Sequence, residues 1–489
     1  MSRRAALRPS DREFLTLVAR AAFANPFTDE RAEIDRKLAG ISGPISNQER
    51  IRLLMPRVVQ RLGRLESEDK ANIASYDGED REIVETASLF EAYHANAGDF
   101  DLLIQKQEEK GEVSCPVSFA NRALEALERR GFTPVEARRY FAMLFQLRRA
   151  YCFIGGNLPG SSPCMKELRR RLWQNVVTHD IRLYARHLMD RMEDFSTLLL
   201  GETGTGKGTA AAAIGRTGPI PFDEKKGYFV EAFTRAFIAI NLSQYSESLI
   251  ESELFGHRRG AFTGAVEGHD GVLSRCSPHG AIFLDEIGEV SVPVQIKLLE
   301  VLQDRVFTPV GSHERRRFRG RIVAATNRPV EELCGKAFRE DFFYRLCSDV
   351  ILIPTLRRRI EEDPEELPIL LSHVVRRTVG EESPELVELV LHVLKKDLPR
   401  RYAWPGNVRE LEQAVRRILL TKGYEPQPEE GPSRLPAALL RGMDGGTLSA
   451  KDLLSAYAKL LFARHGSYAE VARVTGLDRR TARKHVEAE

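Results

Sequence analysis

The stretch Thr197-Leu198-Leu199-Leu200-Gly201-Glu202-Thr203-Gly204-Thr205-Gly206-Lys207-Gly208-Thr209-Ala210-Ala211-Ala212-Ala213 decides the fold. An apolar run, a glycine loop ending in lysine and an alanine-rich helix follow one another without a gap. In a strand–loop–helix unit of this kind the backbone N–H groups point inward and the helix N-terminus favours negative charge. The lysine then reaches the terminal phosphates of a nucleotide. A glycine-rich turn with a stray lysine needs neither the strand nor the helix. A phosphate-binding loop over Gly201, Glu202, Thr203, Gly204, Thr205, Gly206, Lys207, Gly208 and Thr209 is therefore predicted. Position 208 is glycine where a serine or threonine hydroxyl usually helps to hold magnesium, so metal binding must lean on other groups.

Moving outward, Gly280-Ala281-Ile282-Phe283-Leu284-Asp285-Glu286 is an apolar strand that delivers two carboxylates to its C-terminal end, where an α/β sheet places ligands. Asp285 is expected to hold Mg2+ directly or through water, and Glu286 to polarise the attacking water. The apolar runs at 196–200, 237–240, 281–284 and 321–325 alternate with helical stretches, the rhythm of a parallel sheet covered by helices. A helical stretch over 384–420 reads as a lid. Residues 422–447, dense in proline and glycine, read as a linker, and a compact helical unit follows it.

The first 150 or so residues read as all-α. Phe14, Leu17, Val18 and Ala21 recur at helical spacing, as do Leu54, Val58, Leu62 and Leu65, and Ile83, Ala87 and Phe90. Thr133-Pro134-Val135-Glu136 offers a capping box opening a helix striped by Phe141, Leu144 and Phe145. Residues 155–162 (GGNLPGSS) read as a turn-rich break, and Ser162-Pro163 starts the next helix. Nothing in this region carries chemistry; such stripes form cores, which favours a structural or protein-interaction role.

The composition bounds the whole. Over 489 residues, 73 Lys and Arg against 70 Asp and Glu give a net charge of +3, so any basic site is local. The six cysteines show neither CxxC nor metal-ligand spacing, which fits a reducing compartment. No apolar run approaches the ~20 residues of a membrane span, and charged residues interrupt the N-terminus before a signal core could form. A cytoplasmic protein with no membrane partner is expected.

Between the two loops lies Glu251-Ser-Glu-Leu-Phe-Gly-His-Arg-Arg followed by Gly260-Ala261-Phe262-Thr263-Gly264-Ala265. Small residues flank one large apolar side chain, which suits a mobile loop presenting Phe262 and Thr263 to a partner; a buried turn with Phe262 in the core is the alternative. With the phosphate loop and the Asp285-Glu286 pair, this stretch resembles the central domain of bacterial enhancer-binding proteins. These are the AAA+ ATPases that activate RNA polymerase carrying sigma-54. The likeness covers roughly residues 158–420.

The resemblance implies an α/β, AAA+ P-loop ATPase fold: a parallel sheet with helices on both faces plus a helical lid. It implies ATP and Mg2+ as cofactors and contact of residues 260–265 with sigma-54. Asn241 matches the asparagine that couples the catalytic glutamate to that loop. Asn327, closing Arg321-Ile-Val-Ala-Ala-Thr-Asn327, matches sensor I near the γ-phosphate. Arg339 and Arg345, in Phe338-Arg-Glu-Asp-Phe-Phe-Tyr-Arg345, match the segment that carries arginine fingers, and the resemblance does not rank them. Arg409, in Trp404-Pro-Gly-Asn-Val-Arg409, matches sensor II. A cation supplied in trans makes hydrolysis depend on assembly; hence a ring of copies of this chain, in this family a hexamer. Departures are Gly208 where an acidic residue is usual, a longer stretch over 217–231, the pair Arg258-Arg259, and added basic residues over 315–319 in the segment expected to form the second pore loop.

The C-terminal residues resemble the Fis-type helix-turn-helix that ends many members of the family. Leu453, Leu460 and Leu461 stripe a first helix, Ser467-Tyr-Ala-Glu470 reads as a capping box for a second, Gly476 makes the turn, and Asp478 caps a third. On that third helix Arg479, Arg480, Thr481, Arg483 and Lys484 suit the major groove of double-stranded upstream DNA. The expected organisation is an all-α regulatory domain at 1–157 receiving an unidentified signal, an ATPase core at 158–355, a lid at 356–422, a linker at 423–447 and a DNA-binding domain at 448–489. The expected function is ATP-driven remodelling of the closed promoter complex of the sigma-54 RNA polymerase holoenzyme. Two competitors remain: a ring ATPase with a different client, and a DNA-binding regulator whose turnover is lost through Gly208.

Overall fold

The protein is described here from a computed structural model covering residues 5–43, 45–68, 71–334, 337–399, 402–425 and 449–487. It divides into two units, 1–392 with 402–420 and 393–401 with 421–489. Among the described residues no helix is long and apolar enough to cross a membrane.

The first unit opens with eight helices: α1 (Pro9–Phe23), α2 (Asp29–Ala39), α3 (Asn47–Ser67), α4 (Gly78–Ala95), α5 (Ala97–Lys110), α6 (Ala120–Arg129), α7 (Pro134–Asn157) and α8 (Pro163–Val177). Two expected stripes face fully inward, Leu54, Val58, Leu62 and Leu65 of α3 and Ile83, Ala87 and Phe90 of α4 being buried, whereas in α1 Val18 and Ala21 are buried with Leu15, and Phe14 and Leu17 are half-buried. The capping box of α7 forms in both directions, Glu136 N–H donating to Thr133 Oγ1 at 3.3 Å and Thr133 N–H to Glu136 Oε2 at 2.8 Å. The expected break at 155–162 begins later than the glycines suggest, because α7 continues through Gly155 and Gly156 to Asn157. Phe153 and Ile154 anchor that last turn in the core, which outweighs a helix cost of about 1 kcal/mol per glycine.

The sheet is built from β1 (Thr197–Leu200), β4 (Phe237–Asn241), β5 (Ala281–Asp285), β8 (Arg321–Thr326) and β9 (Asp349–Leu352), all parallel, in the order β4-β5-β8-β1-β9. Four of these strands are the expected apolar runs; β9 is an addition. Two short hairpins, β2 (Phe222–Asp223) with β3 (Tyr228–Phe229) and β6 (Val306–Phe307) with β7 (Arg316–Arg317), stand outside the sheet. Side chains alternate across it: Leu199, Phe283, Val323 and Ala325 face one core, Leu198, Leu200, Ile282, Leu284, Ile322 and Ala324 the other.

The first of these cores is continuous with the N-terminal helices. The long stretch over 217–231 explains how. Its hairpin carries Phe222 and Phe229 onto α7, where Phe229 stacks on Phe145 at 4.3 Å and Phe222 meets Phe141 edge-on at 5.1 Å. Polar groups of α7 complete the seam: Arg149, fully buried, donates to the carbonyls of Arg216 at 2.7 Å and Gly218 at 2.9 Å, and Gln146 to that of Thr217 at 2.8 Å. These carbonyls follow the helix that begins at Lys207, so α7 is packed against the far end of the phosphate-loop helix.

The second unit includes three helices, Ala450–His465, Tyr468–Thr475 and Arg479–Glu487, around a small core of Ala458, Leu461, Val471 and Ala482. Gly466 and Gly476 adopt left-handed conformations at the two turns, φ 61° and 72°. Most of the expected linker, residues 426–447, lies outside the described residues.

Candidate active site

Strand order decides where the site lies. β1 sits between β8 and β9 while the chain's next sheet strand, β4, lies at the opposite edge, so the topology switches beside β1 and leaves a crevice at the carboxyl ends of the strands. The phosphate loop leaves β1 there. Gly204 and Gly206 take φ of +79° and +101°, open to glycine and strained for residues with a Cβ. The loop is braced from within: Thr205, buried, donates to the Glu202 carbonyl at 2.8 Å, and Lys207 Nζ to the carbonyls of Gly201 at 2.8 Å and Glu202 at 3.2 Å. Burial lowers the Lys207 pKa, and Arg409 adds to the fall while Glu286 and Asp285 oppose it. A cation so desolvated and ringed by both signs of charge is poised to accept an anionic partner. Thr209 points to the exposed side of the helix Lys207–Gly215.

The pair after β5 is where the sequence places it. Asp285 pairs in register with Asn241 of β4, and its Oδ1 accepts the Glu286 N–H at 3.1 Å. Glu286 itself sits at φ 56°, ψ 46°, a left-handed conformation that a non-glycine residue adopts at a cost of roughly 1–3 kcal/mol and that clusters at functional sites. Asn241 Oδ1 accepts from Ser243 N–H at 3.0 Å and Ser243 Oγ at 2.8 Å, so its side chain caps the turn after β4. Asn327, at the end of β8, reaches Thr203 Oγ1 of the phosphate loop at 3.4 Å. Among the described residues no group of three or more His, Cys, Asp or Glu could hold a metal. Asp285 and Glu286, which lie within electrostatic range of Lys207, are carboxylates that could hold a magnesium ion whose other ligands would be phosphate oxygens and water. Gly208 contributes no ligand.

The lid closes the crevice through a turn that the sequence names only by Arg409. Trp404 and Asn407 both take left-handed φ, 49° and 52°, and both are buried. Asn407 Nδ2 donates to Glu202 Oε2 at 3.2 Å and to the Thr203 carbonyl at 3.1 Å, and its Oδ1 accepts the Leu356 N–H at 2.9 Å. Val408 N–H donates to the Gly204 carbonyl at 3.0 Å. A Cβ on Gly204 would lie 2.2 Å from the Gly406 carbonyl oxygen, so only glycine lets the lid approach. Glu202 is further paired with Arg357, which holds its carboxyl group below the usual range. Asn407, Arg357 and Glu202 thus join lid to loop. The signal was present in the Trp404-Pro-Gly-Asn sequence, which places a turn-forming Asn directly after Gly.

The two candidate fingers differ. Arg339 pairs with Asp341 through two contacts at 3.0 and 2.8 Å, and its backbone N–H is held by the buried Gln295 at 2.9 Å. Arg345 is exposed, and its guanidinium has no hydrogen-bond or ion-pair partner among the described residues.

The loop 260–265 protrudes. Gly260 N–H bonds the Ala265 carbonyl at 2.8 Å and Ala265 N–H that of Phe262 at 3.0 Å; Phe262 is 41% exposed, meeting His257 edge-on at 4.9 Å, and Thr263 is exposed. A buried turn with Phe262 in the core is excluded. The base of this loop bonds the neighbouring turn, Arg258 N–H to the Val310 carbonyl at 3.0 Å and its guanidinium to Glu314 at 3.0 Å. Arg315 and Arg316 likewise face Glu300 and Asp270.

In the second unit Asp478 caps the last helix, accepting from Arg480 and Thr481 N–H at 3.0 Å each. The expected capping box at Ser467 does not form: Ser467 makes no side-chain cap, and Glu470 is drawn instead to Arg473 at 3.0 Å. Arg479, Arg480 and Lys484 are exposed, Arg483 pairs with Glu487 at 2.8 Å, and Thr481 is turned back onto Asp478.

Comparison with known proteins matches residues 176–351 to the Sigma-54 interaction domain and 361–450 to the AAA+ ATPase lid domain. The chain is 33% identical over 369 residues to the DNA-binding transcriptional regulator NtrC of Azospirillum brasilense, covering 67% of this chain and 68% of that protein. It is 34% identical over 350 residues to the alginate biosynthesis transcriptional regulatory protein AlgB of Pseudomonas aeruginosa, covering 71% and 70%. With the Sigma54-dependent transcriptional activator SfnR of Pseudomonas putida it shares 38% identity over 234 residues, 47% of this chain and 57% of that one. Phosphate loop, carboxylate pair, lid turn and exposed GAFTGA loop all lie within or between these matched segments, and the chain belongs to the AAA+ family of sigma-54-dependent transcriptional activators.

Proposed function

We propose that this chain hydrolyses ATP in the crevice beside β1 and uses the stroke to remodel the closed promoter complex of the sigma-54 RNA polymerase holoenzyme. The single observation that supports this best is convergence: Lys207, the Asp285-Glu286 pair, Asn327 and the lid residues Asn407 and Arg409 all surround one glycine loop. Lys207 and the loop N–H groups bind the phosphates, Asp285 holds Mg2+, and Glu286 orients and deprotonates the attacking water. Bound magnesium supplies positive charge to the phosphate oxygens. Arg345 and Arg339 face a neighbouring copy in a ring, Arg409 reads the nucleotide from the lid, and Phe262 and Thr263 contact sigma-54. Arg479, Arg480 and Lys484 hold the ring to upstream double-stranded DNA in the cytoplasm, with Arg483 and Thr481 supporting the helix.

The test is a pair of variants of the full chain. Glu286→Ala is expected to bind ATP with turnover reduced at least about 100-fold, and Lys207→Ala to lose binding. Glu286→Ala with wild-type phosphate release removes the assignment. A wild-type chain that binds ATP and releases no phosphate would favour the nucleotide-switched DNA-binding regulator instead.

A further inference from the structure

The N-terminal helices enclose a cavity of about 350 Å³, remote from the phosphate loop. Ala22 and Phe23 of α1, Leu89 of α4, Leu144 and Leu147 of α7, and Trp173 of α8 give it apolar walls. A few polar groups converge on it, and their state defines what can enter. Arg31 is paired with Asp35 at 2.9 Å, and Arg148 with Asp101 at 2.6 Å. Neither guanidinium is left to balance an incoming anion, and the Asp35 carboxylate, 1% exposed, would repel one. His94 lines the cavity edge-on to Phe90 at 4.5 Å and Tyr93 at 5.0 Å. Neither of its ring nitrogens has a hydrogen-bond partner among the described residues. Burial, with Arg31 and Arg148 nearby, drives the pKa of His94 down to about 3, so the ring is neutral and offers one donor and one acceptor.

We infer that this cavity is a binding site for a neutral, predominantly apolar small molecule carrying a hydrogen-bonding group that meets His94. Its size and lining are those of a ligand site: mostly apolar walls with a small number of polar groups that fix orientation. The inference rests on no part of the ATPase reading, and its test needs no nucleotide. It does give residues 1–157 an input, since α7 forms one wall through Leu144 and Leu147 while its Gln146 and Arg149 hold the 216–218 carbonyls.

The probe is N-phenyl-1-naphthylamine, an uncharged dye, titrated into the full-length protein. The comparison is 1-anilinonaphthalene-8-sulfonate, the same aromatic body bearing an anion. The expected result is saturable binding of one uncharged dye per chain, with energy transfer from Trp173, one of the chain's two tryptophans. The sulfonate should bind at least tenfold more weakly. Ala22→Trp, which fills the cavity, should weaken dye binding at least tenfold, and His94→Phe, which keeps the ring and removes its nitrogens, about fivefold. The Trp173→Phe variant should keep binding and lose most of the energy transfer. If Ala22→Trp lowers the melting temperature, the Trp173 readout decides alone: energy transfer that survives Trp173→Phe places the dye elsewhere and overturns the site. Equal affinity for the two dyes overturns the ligand class.

Discussion

The lid turn around Asn407 and the loop around Phe262 are both short, glycine-bearing segments at the rim of the ATPase core, and they are built in opposite ways. In the lid turn two non-glycine residues hold left-handed conformations and every polar group of Asn407 is satisfied in a buried setting. In the protruding loop the positive φ values belong to Gly260 and Gly264, a Cβ at either would meet nothing within 4 Å, and Phe262 is only half covered. A segment fixed by many buried contacts moves only together with what it touches, whereas one with few contacts is displaced at little cost. On the proposed function, the contrast would separate a part that registers the nucleotide from a part free to carry the consequence to another molecule. Thr263→Ala tests that division with the largest expected effect. Open-complex formation with sigma-54 polymerase should be abolished, while ATP turnover and melting temperature stay at wild-type values, the stability change being within about 0.5 kcal/mol. Loss of turnover in this variant would show that the loop is part of the catalytic site.

The same contrast recurs between Arg339, tied to Asp341 and to the Gln295 amide oxygen, and Arg345, exposed and unpaired among the described residues. A cation that must reach a neighbouring active site is best left unengaged in its own subunit. Arg345→Ala should lower ATP turnover of the assembled ring about 1,000-fold, the range of a trans-acting arginine, with Arg339→Ala a lesser loss. The measurement is steady-state phosphate release at matched oligomer concentration. The reverse ranking would mean that the Arg339–Asp341 pair opens on assembly.

Asn407→Ala attacks the locked side. It strands the Leu356 N–H and the Thr203 carbonyl and puts alanine at φ 52°. An unmet buried group costs about 1–3 kcal/mol, so a loss of about 2–3 kcal/mol in stability is expected, read by thermal melting. Nucleotide affinity should fall in parallel, read by titration of a fluorescent ATP analogue. Unchanged affinity in a destabilised variant would uncouple the lid from the loop.

Much of this architecture is legible in the sequence, and what is not has physical causes. Three sheet strands, β1, β5 and β8, stand out because each is buried on both faces, and β4, an edge strand, stands out only through its unbroken apolar run from Phe237 to Ile240. β9 is a half-buried edge strand of four residues, Asp349 to Leu352, and has no periodicity to display. The two-residue strands β2 and β3 are too short for any pattern; Phe222 and Phe229 acquire meaning only through Phe141 and Phe145, residues far away in the chain. Lys207, Asp285, Glu286 and Arg409 announce themselves through motifs. Glu202 with Arg357 does not, because an ion pair between residues 155 positions apart leaves no local trace. The capping box at Ser467 fails for a similar reason in miniature, since Arg473 competes for Glu470.

Gly208 separates the reading of function from that of fold most finely. A hydroxyl-bearing residue is missing there, yet the position has room: a Cβ would come no closer than 3.9 Å to Phe283. Steric exclusion therefore does not explain the glycine, and the phosphate loop would accept serine without rearrangement. Gly208→Ser should raise stability by about 0.5 kcal/mol through helix propensity alone, which confirms by melting that the residue is accommodated. If Asp285 holds magnesium with phosphate and water as its other ligands, an added hydroxyl should lower the magnesium concentration for half-maximal turnover severalfold and leave the maximal rate nearly unchanged. If stability rises and the magnesium requirement stays put, the ion is already fully ligated without a residue at this position. Gly208 would then mark a site that has no use for the hydroxyl.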